Sequence, residues 1–133
     1  MSYQVGEELL REECYAFLGR SHFGRVGISS NALPAILPVH YAFVDDMVVF
    51  SAPLASELFR AAVGFVIAFE VDANNSKGCL EWSVLVRGIA QEISDDRLSN
   101  RTQAMRFDLG AANDGADRFV TIPTTIISGR KFG

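Results

Sequence analysis

Trp82-Ser83-Val84-Leu85-Val86-Arg87-Gly88 sits inside the longest two-residue alternation of the chain, and its reading decides the fold. Leu80, Trp82, Val84, Val86, Gly88 and Ala90 fall on one face. Glu81, Ser83, Leu85, Arg87, Ile89 and Gln91 fall on the other. That period predicts a single long strand over residues 80–93. Side chains on the first face shrink along it, as expected where a strand curls around a closing barrel.

On the N-terminal side of that strand, Asn74-Asn75-Ser76-Lys77-Gly78 reads as a loop. Before it, Phe65, Ile67, Phe69 and Val71 alternate with Val66, Ala68 and Glu70, which predicts a strand with one large apolar face. Pro53 is expected to open a helix, with Leu54, Leu58 and Ala62 buried, Ala55 and Phe59 beside them, and Gly64 as the stop. Residues 33–44 and 47–51 predict a hairpin turned by Asp45-Asp46, and residues 23–29 a shorter strand before a Ser30-Asn31 turn. Residues 7–19 read as a helix that buries Leu10, Cys14, Phe17 and Leu18 and ends at Gly19. Beyond the long strand, residues 95–105 predict a short helix and residues 108–117 a Gly-, Ala- and Asn-rich connection. Residues 119–127 predict a last strand kinked by Pro123. About six strands with helices inserted between them point to a mainly β, antiparallel barrel rather than a doubly wound parallel sheet.

A chain of 133 residues, 49% hydrophobic with ten Phe, is expected to form one domain over residues 1–133 with a genuine core. The net charge of −4 is interspersed, and no basic face suits a nucleic acid. No apolar run reaches the roughly 18 residues of a membrane span. Cys14 and Cys79 make no disulfide framework, so a reducing, cytoplasmic setting is the expectation. No metal-ligand spacing and no nucleophile motif is present, and no side chain stands out as an obligatory catalytic acid or base.

Six short motifs recur in order: Gly24-Arg25-Val26, Leu37-Pro38-Val39-His40-Tyr41, Val48-Val49-Phe50, Ala68-Phe69-Glu70-Val71-Asp72, the Trp82 motif, and Ser128-Gly129-Arg130. Together they resemble the pyridoxamine 5'-phosphate oxidase-like family of FMN-binding split barrels. The resemblance implies an antiparallel split β-barrel that is homodimeric, with FMN or a deazaflavin held at the dimer interface. It implies a flavin-dependent oxidoreductase acting on a small organic molecule. In this family the ring lies against the middle hairpin, which maps to Leu37, Pro38, Val39, His40, Tyr41, Phe50, Ser51 and Ala52. The phosphate position maps to residues 51–58, with Ser51, Ser56, Glu57 and Leu58 in the binding segment. Trp82 and Ser83 are the candidates on the long strand.

Two positions depart from the family pattern Arg-Thr-Ala-x-Gly-Thr-Lys-Leu: Ser51 stands for the arginine and Glu57 for the lysine. Charge-assisted phosphate contacts are worth on the order of 1.5–3 kcal/mol each, so this exchange weakens an FMN phosphate site unless Arg25, Arg60 or Arg87 approaches. The departure favours a second reading, a split-barrel dimer that has lost FMN and serves as a binding protein. A third, haem held by His22 or His40, is carried by some split barrels. For single residues, bland readings stand beside the sharp ones: Trp82 as plain core, His40 as a surface residue, Ser51 and Ser56 as helix-start residues. The run Val84-Leu85-Val86 is too apolar for an exposed sheet and is expected to mark a dimer interface.

Overall fold

The computed structural model describes residues 6–94 and 117–132. Within them the chain runs β1 (Glu7–Glu8), α1 (Arg11–Leu18), β2 (Phe23–Ser30), β3 (Leu33–Val44), β4 (Met47–Pro53), α2 (Glu57–Ala62), β5 (Val66–Asn74), β6 (Leu80–Ile89), β7 (Gln91–Ile93), β8 (Asp117–Pro123) and β9 (Ile126–Lys131). All strands join one antiparallel sheet in the order β1-β9-β6-β5-β2-β3-β4-β8-β7. β6 and β7 are consecutive in the chain, yet β6 lies third in this order and β7 last. The sheet therefore curls on itself into a mainly β, partly open barrel. Its interior holds Val26, Tyr41, Phe50, Phe69, Val84, Val86 and Ile122, all essentially buried.

Several elements differ from the sequence expectation, each for a local reason. Glu7 and Glu8 form strand rather than helix, because they pair with Lys131 and Arg130 of β9 across the sheet edge. Helix α1 starts only after Leu10, whose N–H donates to the Glu13 carboxylate at 3.0 Å. Pro53 ends β4 instead of opening a helix; Ser56 is the N-cap, its hydroxyl oxygen accepting from the Phe59 N–H. Accordingly, Leu54 is exposed rather than buried, whereas Ala62 is fully buried. The long strand breaks at Ala90, whose N–H donates to Phe65 and whose carbonyl accepts from Gly64. The last strand is two, β8 and β9, divided at Thr124-Thr125. There the Thr124 hydroxyl donates to the Asp46 carbonyl, and Arg11 donates to the carbonyls of both threonines. Val84 and Val86 face the core, so only Leu85 of that apolar run looks outward. The helix expected over residues 95–105, and the connection over residues 108–117 up to Asp117, lie outside the described residues.

Two motif glycines have a steric cause. A Cβ on Gly24 would meet the Phe69 ring at 2.4 Å, and one on Gly129 the Cys14 sulfur at 2.8 Å and the Ser83 carbonyl at 3.1 Å. Gly-Arg-Val and Ser-Gly-Arg thus mark places where a strand must lie against a core side chain without one of its own.

Candidate functional site

Strand β3 changes partner halfway. Leu33 to His40 pair with β2, and Tyr41 to Val44 pair with β4 through a two-residue turn in which Asp45 and Asp46 both have positive φ, 53° and 60°. β4 continues past Phe50 to Pro53 with β8 as its partner. Among the described residues, no strand pairs with the second edge of β3 over residues 33–40, and β4 beyond Phe50 no longer pairs with β3. The sheet is split between β3 and β4 beyond the Tyr41–Phe50 pair, and backbone groups line the gap, Pro34, Pro38 and Pro53 contributing carbonyls without an N–H. The positions implied for a flavin ring and phosphate, residues 37–41 and 50–58, lie along this split.

Period two divides the candidates between the two faces of the sheet. Val39, Tyr41, Phe50 and Ala52 point into the core. The Tyr41 hydroxyl donates to the Leu18 carbonyl at 2.6 Å and its ring meets Phe69 edge-on, and burial pushes the phenol well above its usual range. Trp82 is also core, 5% exposed and stacked on Phe17 with ring centroids 4.6 Å apart. Pro38 and His40 lie on the opposite, exposed face, where His40 packs on Phe23 at 4.1 Å. Ser51 is half-buried on β4, and Ser83 sits in register between Asp72 and Arg130. The structure thus gathers Pro38, His40 and Ser51 beside the split and leaves Trp82 and Ser83 apart from them, on β6.

The phosphate segment offers little positive charge. The Ser56 hydroxyl donates to the Pro53 carbonyl at 2.6 Å while capping α2, so its proton is already engaged. Glu57 is exposed in the first turn of α2, and Leu58 packs against the core. Arg25 is engaged elsewhere, with Glu70 at 3.0 Å and Asp72 at 3.4 Å, and Arg87 is exposed on β6. Arg60 donates to the Ala55 carbonyl at 2.8 Å and lines an open pocket of about 270 Å³ with Ser29, Ser30, Asn31, Glu57 and Phe65. A dianionic phosphate monoester does not fit residues 51–58 as they stand. The pocket brings together residues far apart in sequence, and sequence reading missed Asn31 and Phe65, the latter expected in the core but 60% exposed.

A second feature is electrostatic. Glu70 lies between Arg25 and Leu85 on the outer face of the sheet. Partial burial, reinforced by the neighbouring Asp72 and offset in part by Arg25, pushes its carboxyl up to about 7. His22 lies apart, in a pocket with Ser21, Asp45 and Asp46 at the end of α1. Among the described residues, no three His, Cys, Asp or Glu side chains gather as a metal site, and no helix is long and apolar enough to cross a membrane.

Comparison with known proteins agrees with this architecture. An uncharacterized protein of Mycobacterium tuberculosis, Rv0080, is 33% identical over 127 residues, covering 92% of this chain and 82% of that one. The FAD binding protein of Mycobacterium smegmatis superposes with a TM-score of 0.71 at 25% identity, covering 96% of this chain and 98% of that one. The FAD and heme binding protein of the same organism has the same fold, with a TM-score of 0.77 at 20% identity over 93% of this chain and 72% of its own. Residues 10–131 match the pyridoxamine 5'-phosphate oxidase family, and with the split barrel, its two motif glycines and the paired motif strands in place, the chain belongs to that family.

Proposed function

We propose that this protein is a flavin-dependent oxidoreductase that acts on a small organic molecule, as a homodimer with the flavin held along the split between β3 and β4. The observation that carries this reading is the split itself: among the described residues no strand pairs with the second edge of β3 over residues 33–40, and its backbone carbonyls, with the N–H groups of its non-proline residues, are available to the polar rim of a flavin ring. The FAD-binding relative from Mycobacterium smegmatis supports a flavin. When bound, a flavin supplies reversible electron transfer; the chain supplies position and a shielded face. His40 and Pro38 present side chains beside the gap, and the core residues Tyr41 and Phe50 hold the two strands where they diverge.

Dimerisation is supported by the outer face of the sheet. Phe23, Ile36, Val66, Ile89 and Ile126 are all at least half exposed there, with Ile36 72% and Val66 71%. Large apolar side chains left exposed on one sheet face, among Arg25, Glu70 and Arg87, are what a two-fold partner covers. The free thiols Cys14 and Cys79 support a reducing, cytoplasmic setting. Glu57 and Ser51 in place of basic residues favour the second reading, a split-barrel dimer that binds a ligand without flavin chemistry. One preparation separates the two. The purified protein should show the visible bands of an oxidised flavin, or acquire them on addition of flavin, and elute with the mass of two chains. A colourless protein that takes up no flavin would leave the binding-protein reading. Deazaflavin and haem would announce themselves by their own spectra, and a one-chain mass at micromolar concentration would rule out the dimer.

A further inference from the structure

The outer face of the sheet carries charges that its own chain does not balance locally. Across β2, β5 and β6, one row of the face is Arg25, Glu70 and Leu85, and the next is Gly27, Ala68 and Arg87. Asp72 lies two residues on from Glu70 and so shares its face. Arg25 serves both carboxylates with a single nitrogen, Glu70 at 3.0 Å and Asp72 at 3.4 Å. Arg87 is exposed on β6 and has no ion-pair partner among the described residues. Two carboxylates thus share one cation at one place, while a second cation stands alone at another.

We propose that a second copy of this chain docks on this face by a two-fold rotation, with Arg87 of each copy paired to Asp72 of the other; the inference rests on the dimer of the reading above. Charge complementarity is the first argument. A two-fold interface is self-complementary, so a contact between two different positions is made twice. Arg87 arriving from the second copy satisfies Asp72, whose contact with Arg25 is the longer of the two, and leaves Arg25 to Glu70. Each carboxylate then has its own cation. Within one chain Arg87 stands opposite Ala68 and next to Leu85, and the only ion pair recorded for Asp72 is the shared one.

The register of the sheet is the second argument, because it locates the axis. Arg87 is opposite Ala68 and Asp72 opposite Ser83, so the cross-strand pair Leu85–Glu70 lies midway between Arg87 and Asp72. The axis passes beside that pair. Leu85, half-buried in the single chain, packs on its own copy, and each Glu70 there is held by the Arg25 of its own chain. Shape agrees. The small residues Gly27 and Ala68 leave a hollow of about 330 Å³ walled by Arg25, Ile36 and Glu70, which gives a side chain of the second copy room to interdigitate. The exposed Ile36, Val66, Ile89 and Ile126 supply the apolar area, and the ion pairs select this rotation over others.

The test is a double-mutant cycle on the dimer dissociation constant, measured by analytical ultracentrifugation at neutral pH. Arg87→Ala and Asp72→Asn should each weaken the dimer about tenfold. The double variant should be no weaker than the weaker single one, since either change alone already breaks the pair. A second arm keeps both charges in place and tests the axis even if one of those variants fails to fold. In a Cys79→Ser background, with Cys14 buried, Leu85→Cys should be joined to its own copy by a short bismaleimide. Ile126→Cys, opposite Arg87 on β9 and away from the axis, should not. Losses that simply add would show that Arg87 and Asp72 do not meet, and would overturn the pairing. A parent dimer that no substitution weakens, and that Leu85→Cys does not cross-link, would place the interface elsewhere; it would overturn this inference and leave the dimer reading standing. A parent protein with the mass of one chain would overturn both.

Discussion

Glu70 occupies a position where one carboxylate feels burial, a second carboxylate and a guanidinium at once. Its pKa, pushed up to about 7 first by desolvation and then by Asp72, lies above the ordinary glutamate value near 4.3. A carboxyl whose folded pKa is raised favours the folded state below the unfolded pKa, and that contribution is lost as pH rises through about 7. Arg25 at 3.0 Å softens the loss without abolishing it. Glu70→Gln removes the titration. The difference in thermal midpoint between the Glu70→Gln protein and the parent should therefore grow in favour of the variant between about pH 4.5 and 7.5. A difference that stays constant over that range would show that Glu70 titrates normally.

Strand β2 shows at the scale of an element how a motif can be structural. A Cβ on Gly24 would overlap the Phe69 ring, and Phe69 is fully buried with Tyr41 packed against it. The ring has nowhere to retreat, so Gly24→Ala should cost about 1–3 kcal/mol in denaturant unfolding, the usual penalty of overpacking. An unchanged midpoint would mean that β2 and β5 can separate locally. Elements defined by their own residues were legible in the sequence. β3 runs from Leu33 to Val44 as its alternation and the Asp45-Asp46 turn indicate, and the same alternation sorts Tyr41 and Phe50 inward from Pro38 and His40. Elements defined by a distant partner were not. Nothing near Ala90 announces that Gly64 and Phe65 will take its backbone bonds, and Pro53 carries the same local signal whether it begins a helix or ends a strand. The segment of the candidate site was legible for the first reason, and the pocket joining Asn31 to Glu57 and Phe65 was hidden for the second.

At the scale of the whole molecule, one curled sheet has two unlike ends. β7, a three-residue strand, closes one of them against β8. At the other, β1 contributes only Glu7 and Glu8, set opposite Lys131 and Arg130, with the Leu9 N–H donating to the Gly129 carbonyl at 2.9 Å. Those few bonds join residues separated by nearly the entire chain, so they close a very long loop and should form late in folding. Until they do, the outer side of β9 is a bare row of backbone donors and acceptors, open to a strand from any other molecule. β1 is thus a guard against templated aggregation. A chain shortened to begin at Leu10 should retain its core yet scatter light and bind amyloid dyes on mild heating at a temperature the parent tolerates. If the shortened chain stays clear, the β9 edge is protected by something other than these two glutamates.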